Sequence, residues 1–523
     1  MSQHTAHPGH GAPGPVVAGI DVATATVRVL CADARGRVTA RGSARLPAPV
    51  RDGRGRSEQD AREWWPAAVR ALREATAALP ARGREVAAVA VSATSGTVAL
   101  AGPDGVPLGP ALMYDDRRAE RLNARAQEAG ARRWAALGLS VGPTAALGRV
   151  AWWAALAGAG DGDAGDGAAV DRSDPRDQRL SSVLAACTGD GLRVLHTPEL
   201  LGRALTGAPV PADWSHALKT GYDPRLREWP QEVLDALGIP AAWLPRVAAP
   251  GTEAGTVCAA AAAETGLPQG CSVRLGMTDG CAGQLATGAV RPGEFVGVLG
   301  TTYVLKGVTR ELVTDPAGAL YSHRHPDGWW LPGGASSTGG EALAAVPADR
   351  LRTLDAEAAA RGPAACVMYP LRRAGERFPF VSADARGFTL GSPADEAESH
   401  RAALEGVAFL ERLAVERMRA LGVPPSGPLH AAGGGSRSEL WCRIRATSLD
   451  RPLRVADRAE TAFGAALLAA SGTLHASLTE AASAMAGAGR VVEPVPAERE
   501  ALEESYARFV QEIRTRGWLP ESG

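Results

Sequence analysis

Two aspartates stand where a carboxylate could act on a phosphate or on a hydroxyl group. Asp21 follows an apolar run in the segment VVAGIDVATATVRVLC, and Asp279 follows another in GMTDGC. A carboxylate can hold a hydrated Mg²⁺ ion, or it can take the proton of a hydroxyl that attacks a phosphate. Taken alone, the first aspartate is better explained as a turn residue and the second as the cap of the next helix.

Three turns could supply backbone N–H groups and hydroxyls to phosphate oxygens. They comprise Thr24 with Ala25, Gly300 with Thr301 and Thr302, and Gly433, Gly434 and Gly435 with Ser436. Glycine in such a turn lets a nucleotide come close to the backbone. The chain has neither a G-x-x-x-x-G-K-[ST] loop nor a G-x-G-x-x-G in a strand-to-helix setting. A phosphate site in this chain would therefore be assembled from separate turns.

A further group of polar side chains could hydrogen-bond the hydroxyl groups of a sugar. Its members are Thr94, Ser95, Asp116, Asp213 and His216. Asp116 could instead be a solvated surface charge beside Arg118, and Asp213 could instead cap a helix. We interpret Trp329 and Trp330 as packing residues rather than as a platform for a sugar ring.

The pattern also predicts the strands and helices that must position these residues. Residues 16–31 and 294–308 each indicate a strand, a short turn and a second strand, a repetition that suggests a duplicated architecture. Residues 57–79 predict a helix capped by Ser57. Further predicted elements are a buried strand over 85–91, a long helix over 399–421 and helices that begin near Glu439 and Glu460.

The composition is that of a folded protein without a polyanionic partner. The chain has 523 residues, of which 45% are hydrophobic and 22% are charged, and its net charge is −1. This length predicts two large domains or three small ones. The lack of a positive field argues against nucleic acid as a partner. No segment has the ~20 consecutive apolar residues of a membrane span, so we expect no membrane contact.

The seven cysteines are scattered and form neither a C-x-x-C pair nor a metal-ligand spacing. We interpret them as reduced thiols, and because the start lacks a signal-peptide layout, we predict a cytoplasmic protein. Residues 1–15 are rich in Pro, Gly and His and predict a disordered tail. Residues 157–181 are rich in Gly and Asp and predict a flexible surface insertion. The sequence leaves open whether the chain forms a homodimer.

Several segments, taken in order, resemble the FGGY carbohydrate kinases from about residue 16 to residue 471. They include GIDVATATVRV, PLGPALMYDDRR, GLPQGCSVRLGMTDGCAGQLATGAVRPGEFVGVLGTT, AAGGGSRSELW and ETAFGAALLA. The resemblance implies an α/β, actin-like (ribonuclease H-like) ATPase fold of two duplicated domains with the active site in the cleft between them. It also implies a sugar-binding domain (16–285), a nucleotide-binding domain (286–490) and a C-terminal helical extension (491–523).

The resemblance assigns roles to the candidate residues. Asp279 occupies the position of the base that activates the sugar hydroxyl, and Asp21 that of the residue that holds Mg²⁺, most simply through water. The three turns would bind ATP. The residues that would bind the sugar, together with Asp279, are Thr94, Ser95, Asp116, Asp213 and His216.

One position departs from the pattern of the family. The first phosphate turn usually has glycine two residues after the aspartate, where this chain has Ala23. If that position needs a positive φ, alanine costs roughly 1–2 kcal/mol of backbone strain, and its methyl group would crowd the phosphate. The sequence leaves open whether Ala23 slows turnover. A non-catalytic sugar- or nucleotide-binding relative is therefore an alternative from a different class.

Within the family, the chain is most similar to the D-ribulose kinases of plants and cyanobacteria. The similarity is carried by the Thr94–Ser95 step, DWSHALKTGYDP (213–224), YSHRHPDGWWLPGGASSTGG (321–340) and GERFPF (375–380). It implies ATP-dependent phosphorylation of the primary hydroxyl of a ketose, D-ribulose to D-ribulose 5-phosphate. D-Xylulose differs in the stereochemistry of one hydroxyl, and motifs outside the sugar pocket cannot separate the two. Xylulose kinase, or another FGGY sugar or polyol kinase, is the alternative.

Overall fold

The computed structural model of the chain describes residues 14–158, 174–187, 191–427 and 429–519. Nearly all of the predicted tail (1–15) and most of the predicted insertion (157–181) lie outside these residues. The last residues of that segment are described, and they begin a helix, Pro175–Ala186. Asp177 in this helix forms a buried ion pair with Arg56. This end of the predicted insertion therefore belongs to the folded domain and is not a surface loop.

Short strands and helices alternate along the whole described chain. The strands are β1 (Val16–Val22), β2 (Thr26–Asp33), β3 (Val38–Arg45), β4 (Val50–Arg51), β5 (Ser57–Gln59), β6 (Val86–Ala93), β7 (Val98–Ala101), β8 (Ala111–Leu112), β9 (Arg193–His196), β10 (Ala212–Asp213), β11 (Val247–Ala248), β12 (Glu253–Thr256), β13 (Ser272–Thr278), β14 (Phe295–Leu299), β15 (Tyr303–Gly307), β16 (Tyr321–Arg324), β17 (Trp330–Ala335), β18 (Val367–Tyr369), β19 (Phe388–Leu390), β20 (Leu429–Ala432), β21 (Leu453–Val455) and β22 (Arg490–Val492). The helices are α1 (Trp64–Ala77), α2 (Glu120–Ala129), α3 (Ala131–Leu137), α4 (Ala146–Leu156), α5 (Pro175–Ala186), α6 (Thr197–Thr206), α7 (Trp214–Lys219), α8 (Gln231–Leu237), α9 (Ala259–Thr265), α10 (Asp279–Ala286), α11 (Leu351–Arg361), α12 (Glu396–Ala420), α13 (Glu439–Leu449), α14 (Thr461–Ala470), α15 (Leu478–Met485) and α16 (Arg499–Thr515). Within the described residues, none of these helices combines the length and the apolar character that crossing a membrane requires.

The N-terminal half is built on a six-stranded sheet with the order β12-β13-β6-β1-β2-β3. Strands β1, β2 and β3 are antiparallel neighbours, whereas β6 and β13 continue the sheet in parallel with β1. All seven residues of β1 are buried, as expected for a central strand that is covered on both faces. The carboxyl ends of the parallel strands meet at one edge of the sheet, and Asp21 and Asp279 lie there.

The C-terminal half repeats this order in a seven-stranded sheet, β16-β17-β15-β14-β20-β21-β22. Strands β14, β15 and β17 are antiparallel neighbours, and β20 and β21 continue the sheet in parallel with β14. Five strands of one sheet thus correspond in order and direction to five strands of the other. Each set is followed by an antiparallel edge strand, β12 or β22. The repetition confirms the duplicated α/β architecture that the two strand–turn–strand segments suggest.

Helices α10 and α14 join the two halves. Helix α10 starts where β13 ends, and α14, from late in the chain, packs on β1 of the first sheet. The approach is so close that a Cβ atom on Gly19 would lie 1.8 Å from Ala462 O, and one on Gly464 would lie 1.8 Å from Ala282 O. Glycine allows this contact because backbone can meet backbone. Helices α14 and α15 therefore pack into the core of the first sheet, although both lie within the predicted nucleotide-binding domain (286–490).

The first helix begins later than the sequence predicts. Residues Ser57–Gln59 form β5, and α1 starts only at Trp64, after one turn of 3₁₀ helix. Asp60 caps that turn, because its carboxylate accepts the N–H of Arg62 at 3.0 Å. The prediction that Ser57 caps the helix is wrong, because its segment pairs with β4 and β8 before the helix starts.

Candidate active site

Asp21 is held at the buried carboxyl end of β1. One of its carboxylate oxygens accepts a hydrogen bond from Arg28 Nη1 at 3.2 Å. The other oxygen, Oδ1, is buried and has no hydrogen-bond partner among the described residues. Burial raises the pKa of Asp21 to about 6, while Arg28 opposes the shift and the negative charge of Asp279 adds to it. A buried carboxylate oxygen without a partner is suited to a cation or to the water around one.

Asp279 is the first residue of α10 and lies at the same edge of the sheet as Asp21, near enough for its charge to raise the pKa of Asp21. Its carboxylate accepts the N–H of Gly280 at 2.7 Å, and the side chain is partly exposed. The charge of Asp279 contributes to the raised pKa values of both Asp21 and His216. The structure thus brings together the two aspartates that are far apart in the sequence. A partly exposed carboxylate at the edge of the sheet can accept the proton of a bound hydroxyl.

The turn between β1 and β2 is closed by a hydrogen bond from the Ala23 N–H to Thr26 O at 3.0 Å. In the described part of the chain, the non-glycine residues with a positive φ are Arg82, Arg227 and Asp450. Ala23 does not have a positive φ, so the condition under which alanine would strain the backbone is not met here. Thr24 and Ala25 form the tip of the turn, and Ala25 is exposed. The tip is therefore accessible to a phosphate group.

Gly300, Thr301 and Thr302 form the turn between β14 and β15, with both threonines at least partly exposed. A second segment supports this turn from behind. The N–H of Gly340 donates to Gly300 O at 2.8 Å, and the N–H of Glu341 donates to Thr301 O at 2.9 Å. These bonds occupy the carbonyl groups and hold the turn in place, while its threonine side chains are accessible to a ligand.

Glu376 is a buried carboxylate that fixes the supporting segment. It accepts hydrogen bonds from Ser336 Oγ and Thr338 Oγ1, both at 3.0 Å, and from Tyr369 Oη at 2.7 Å. The carbonyl of Thr338 accepts in turn the N–H of Tyr303 at 2.8 Å. Buried polar networks of this kind are rigid when their members are bonded. Glu376 is therefore linked to the turn 300–302 through the supporting segment, without contacting the turn itself.

The third turn follows β20, and its glycines differ in what surrounds them. A Cβ atom would lie 2.5 Å from Leu299 O if it were on Gly433, and 2.4 Å from Leu299 Cδ2 if it were on Gly435. A Cβ atom on Gly434 would meet nothing within 4 Å. Gly433 and Gly435 are thus needed for close packing, whereas Gly434 borders open space. The hydroxyl of Ser436 is buried and has no partner among the described residues.

Ser95 lines a cavity of about 380 Å³ together with Lys219 and Tyr321. The Ser95 hydroxyl is buried and has no hydrogen-bond partner in the described part of the chain. Thr94, at the end of β6, donates its N–H to Val22 O at 3.1 Å and so adjoins the strand that carries Asp21. The cavity has the size of a small-molecule site. The structure places these two predicted sugar residues between the first turn and this cavity.

Asp116 is bonded within the protein. Its carboxylate accepts the N–H of Ser57 and Nη2 of Arg118, both at 2.7 Å. Arg118 also pairs with Glu58 at 2.6 Å. Asp116 is 1% exposed, so it is not the surface charge that the sequence allowed as an alternative. These contacts hold β5 against the segment after β8, and they occupy the carboxylate that was predicted to meet the sugar.

Asp213 and His216 form a buried pair at the start of α7. His216 Nδ1 lies 2.5 Å from Asp213 Oδ2, and the Asp213 carboxylate caps the helix by accepting two backbone N–H groups. Burial would raise the pKa of Asp213, but the charge and hydrogen bonds of His216 lower it. Ser215 Oγ donates to Asp213 at 2.5 Å and accepts the N–H of Thr278 at 2.9 Å. The pair therefore supports the residue that precedes Asp279.

Four polar residues that the sequence analysis did not select lie in the same region. They are Lys219, Lys306, Tyr321 and His323. Two of them occur in the segment 321–340, on which the likeness to D-ribulose kinases rests in part, but a polar strand does not reveal which side chains face a site. Trp329 and Trp330, which also lie in this segment, are packing residues as predicted. Trp330 is buried, and the guanidinium carbon of Arg324 lies 5.3 Å from the centre of the Trp330 ring. Trp329 packs against the core of the first sheet.

The residues near the first turn fit a metal ion that is held mostly by water. Among the described residues, no group of three or more His, Cys, Asp or Glu side chains could hold a metal ion. Mg²⁺ usually keeps several waters and takes one or two carboxylates together with phosphate oxygens. The Oδ1 atom of Asp21, which has no partner among the described residues, could act as such a carboxylate ligand. That Asp21 holds Mg²⁺ stays a prediction.

The chain is similar to known proteins over nearly its whole length. The family model described as "FGGY family of carbohydrate kinases" matches with its N-terminal domain over residues 16–153 and with its C-terminal domain over residues 293–473. A xylulose kinase of Streptomyces rubiginosus is 33% identical over 467 residues, which are 88% of each chain. An erythritol kinase of Brucella abortus is 27% identical over 485 residues, which are 87% of each chain. The solved structure of a xylulose kinase from Rhodospirillum rubrum has a TM-score of 0.80 and 26% identity over 96% of this chain and 98% of that one.

Proposed function

Because the chain belongs to the FGGY family of carbohydrate kinases, with the two-domain actin-like fold of its structural neighbours, it is an ATP-dependent sugar kinase, and we propose that its sugar is D-xylulose. The observation that supports this sugar is the likeness over nearly the whole chain to xylulose kinases of two Streptomyces species, at 33% and 31% identity. The D-ribulose hypothesis rests on similar segments alone, so D-xylulose replaces it as the leading proposal.

In this proposal Asp279 is the general base. A primary hydroxyl of the ketose gives its proton to the Asp279 carboxylate while its oxygen forms a bond to the γ-phosphorus of ATP. The bond from that phosphorus to the β,γ-bridging oxygen breaks, and ADP leaves. Proton transfer to a positioned carboxylate typically contributes about 10²–10⁴-fold to the rate.

The three turns supply the phosphate and nucleotide contacts in the same proposal. Thr24 and Ala25 form the turn that follows Asp21, the turn 300–302 has two threonines that are at least partly exposed, and Gly434 leaves room for a nucleotide. Asp21 would hold Mg²⁺ through water, and that ion would neutralise charge on the phosphates. The sugar would lie between Asp279 and the cavity that Ser95 lines, and thus mainly in the predicted sugar-binding domain (16–285).

A coupled ADP-release assay over pentuloses, hexuloses, heptuloses, erythritol and glycerol tests the proposal. We expect D-xylulose to have the highest kcat/KM. A higher kcat/KM for D-ribulose would show that D-xylulose is not the preferred sugar, while the assignment as a sugar kinase would stand. Turnover of no sugar, while calorimetry still detects ATP binding, would favour the non-catalytic alternative.

A further inference from the structure

Lysine is almost absent from this chain, and the two lysines it has lie at the candidate site. Of the 56 Lys and Arg residues, only Lys219 and Lys306 are lysines. An ammonium group is a compact point charge with three hydrogen-bond donors, whereas a guanidinium is a planar fork. In a chain that otherwise uses guanidinium groups, a position with lysine is a candidate for a contact that requires an ammonium.

Lys306 extends from β15 of the second sheet to the start of α10. Its Nζ lies 3.0 Å from the point that a Cβ atom on Gly280 would occupy, and 3.9 Å from Cys281 Sγ. Gly280 directly follows Asp279, so the ammonium stands beside the proposed base. Among the described residues, the polar contact of Lys306 is this weak one to sulfur, and no carboxylate pairs with it.

Lys219 is the last residue of α7, in the first half of the chain. Its Nζ donates a hydrogen bond to Tyr321 Oη at 2.6 Å and lies 4.0 Å from the centre of that ring. Both residues line the cavity of about 380 Å³ that also contains Ser95. In the described part of the chain, Lys219 has no carboxylate partner either.

His323 is a third polar group with unused hydrogen-bonding capacity in this region. It is 6% exposed, and its Nε2 is buried without a hydrogen-bond partner among the described residues. Burial, together with the charges of Lys219 and Lys306, lowers the pKa of His323 well below its usual value, so the ring is neutral. The ring centre lies 5.1 Å from that of Tyr321. Buried polar groups without partners cost free energy, and a ligand rich in oxygen atoms would remove that cost.

We propose that Lys219 and Lys306 are specificity-determining residues that donate hydrogen bonds to two separate oxygen atoms of an open-chain sugar. Lys306 contacts the end that is phosphorylated, next to Asp279, and Lys219 contacts an oxygen deeper in the cavity. This inference rests on the proposed function only in that the ligand is a sugar that reacts beside Asp279. The ligand supplies hydroxyl or carbonyl oxygens, which explains why neither ammonium is paired with a carboxylate of the protein.

The kinetic test uses Lys219→Met and Lys306→Met, with Arg35→Met as a control that removes an exposed positive charge far from the cavity. We expect Lys219→Met to raise the KM of the best sugar by about 10- to 100-fold, the value of a hydrogen bond from a charged donor. Lys306→Met should lower kcat/KM by a similar factor, and the KM for ATP should stay unchanged in Lys219→Met. The control should match the wild type. Unchanged sugar kinetics in both lysine variants would overturn the inference.

A second measurement does not need turnover. Acetylation of the two lysines by an N-hydroxysuccinimide ester can be followed by peptide mass spectrometry in wild-type protein, because few peptides carry an ε-amino group. A bound sugar should slow the labelling of both residues, and ATP alone should not protect Lys219. If no sugar of the panel is phosphorylated but one protects both lysines, the proposed function fails and this inference stands. If a sugar is phosphorylated and protects neither lysine, this inference fails and the proposed function stands. If no sugar of the panel is phosphorylated and none protects either lysine, both fail.

Discussion

At the residue scale, the candidate site places two aspartates in different environments. Asp21 is buried and keeps one oxygen without a partner, whereas Asp279 is partly exposed at the start of α10. The spacing placed each aspartate at the end of an apolar strand, and the family resemblance then selected both for chemical roles, since a strand-end aspartate alone is better explained as a turn residue or a helix cap. The sequence could not predict that the Asp116 carboxylate accepts hydrogen bonds from Ser57 and Arg118 within the protein, because residue type does not reveal which partners the fold provides.

Asp21→Asn should make the protein more stable at neutral pH and less active. Burial raises the pKa of Asp21 from 3.8 to about 6. The stability that its protonated form contributes is therefore complete below pH of about 4 and is lost as the pH rises through about 6. Asparagine does not ionise and avoids this loss. Thermal unfolding without Mg²⁺ should show a larger advantage for the variant at about pH 8 than at about pH 5. An advantage that is equal at both pH values would show that Asp21 titrates normally.

Two neighbouring glycines should respond differently to the same substitution. In Gly434→Ala the new methyl group meets no protein atom within 4 Å, so the Tm should not change while the KM for ATP rises. In Gly435→Ala the methyl group would lie 2.4 Å from Leu299 Cδ2, so the Tm should fall. Overpacking of this kind costs about 1–3 kcal/mol. An unchanged KM for ATP in Gly434→Ala would remove this turn from the nucleotide site.

At the scale of elements, the second turn depends on a segment that does not touch the ligand. Residues 336–341 support the turn 300–302, and Glu376 fixes that segment. The segments 321–340 and 375–380 were selected for their likeness to D-ribulose kinases, and in the structure they are joined through Glu376 and support the turn 300–302. The sequence predicted β6 and α12 well, because each has a long apolar pattern, but it placed the cap of α1 at Ser57. Short strands such as β5 have too few residues to show a period.

Glu376→Gln should loosen the second turn. Glu376 Oε2 accepts all three hydroxyls, and Oε1 accepts the backbone N–H groups of Ser337 and Arg377. Whichever oxygen the amide nitrogen replaces, the bonds to that oxygen are lost. A buried group that loses its partner costs about 1–3 kcal/mol, so we expect a lower Tm and a higher KM for ATP. Glu311→Gln, at an exposed position, is the matched control and should behave as the wild type. If Glu376→Gln lowers the Tm and leaves the KM for ATP unchanged, Glu376 stabilises the domain without positioning the turn.

At the scale of the whole molecule, two sheets repeat the same order of strands, the second with one additional strand, and helices α10 and α14 join them. The duplication was visible in the sequence as two strand–turn–strand segments. The packing of α14 on the first sheet could not be predicted from the sequence, because the order of segments along the chain does not show which sheet a late helix covers. The small residues Gly19 and Gly464 mark the contact in retrospect, but glycine is too common for its position to identify such a contact in advance.

Gly464→Ala should disturb the junction between the two halves. The added methyl group would lie 1.8 Å from Ala282 O in α10, the helix that carries Asp279. The two helices must therefore separate, at a cost of about 1–3 kcal/mol or more, and we expect a lower Tm together with a lower kcat. Gly53→Ala, where a Cβ atom meets nothing within 4 Å, is the control for removing a glycine. A stable and fully active Gly464→Ala would show that the junction is less tightly packed than described.

The most direct test of the account compares the wild type with Asp279→Asn, which removes the proposed base and keeps the shape of the side chain. The measurements are kcat with D-xylulose and ATP in a coupled ADP-release assay, and the Kd of ATP by calorimetry. We predict a fall in kcat of about 10²–10⁴-fold with an unchanged Kd for ATP. Equal kcat values for the two proteins would contradict the central claim that Asp279 activates the sugar hydroxyl.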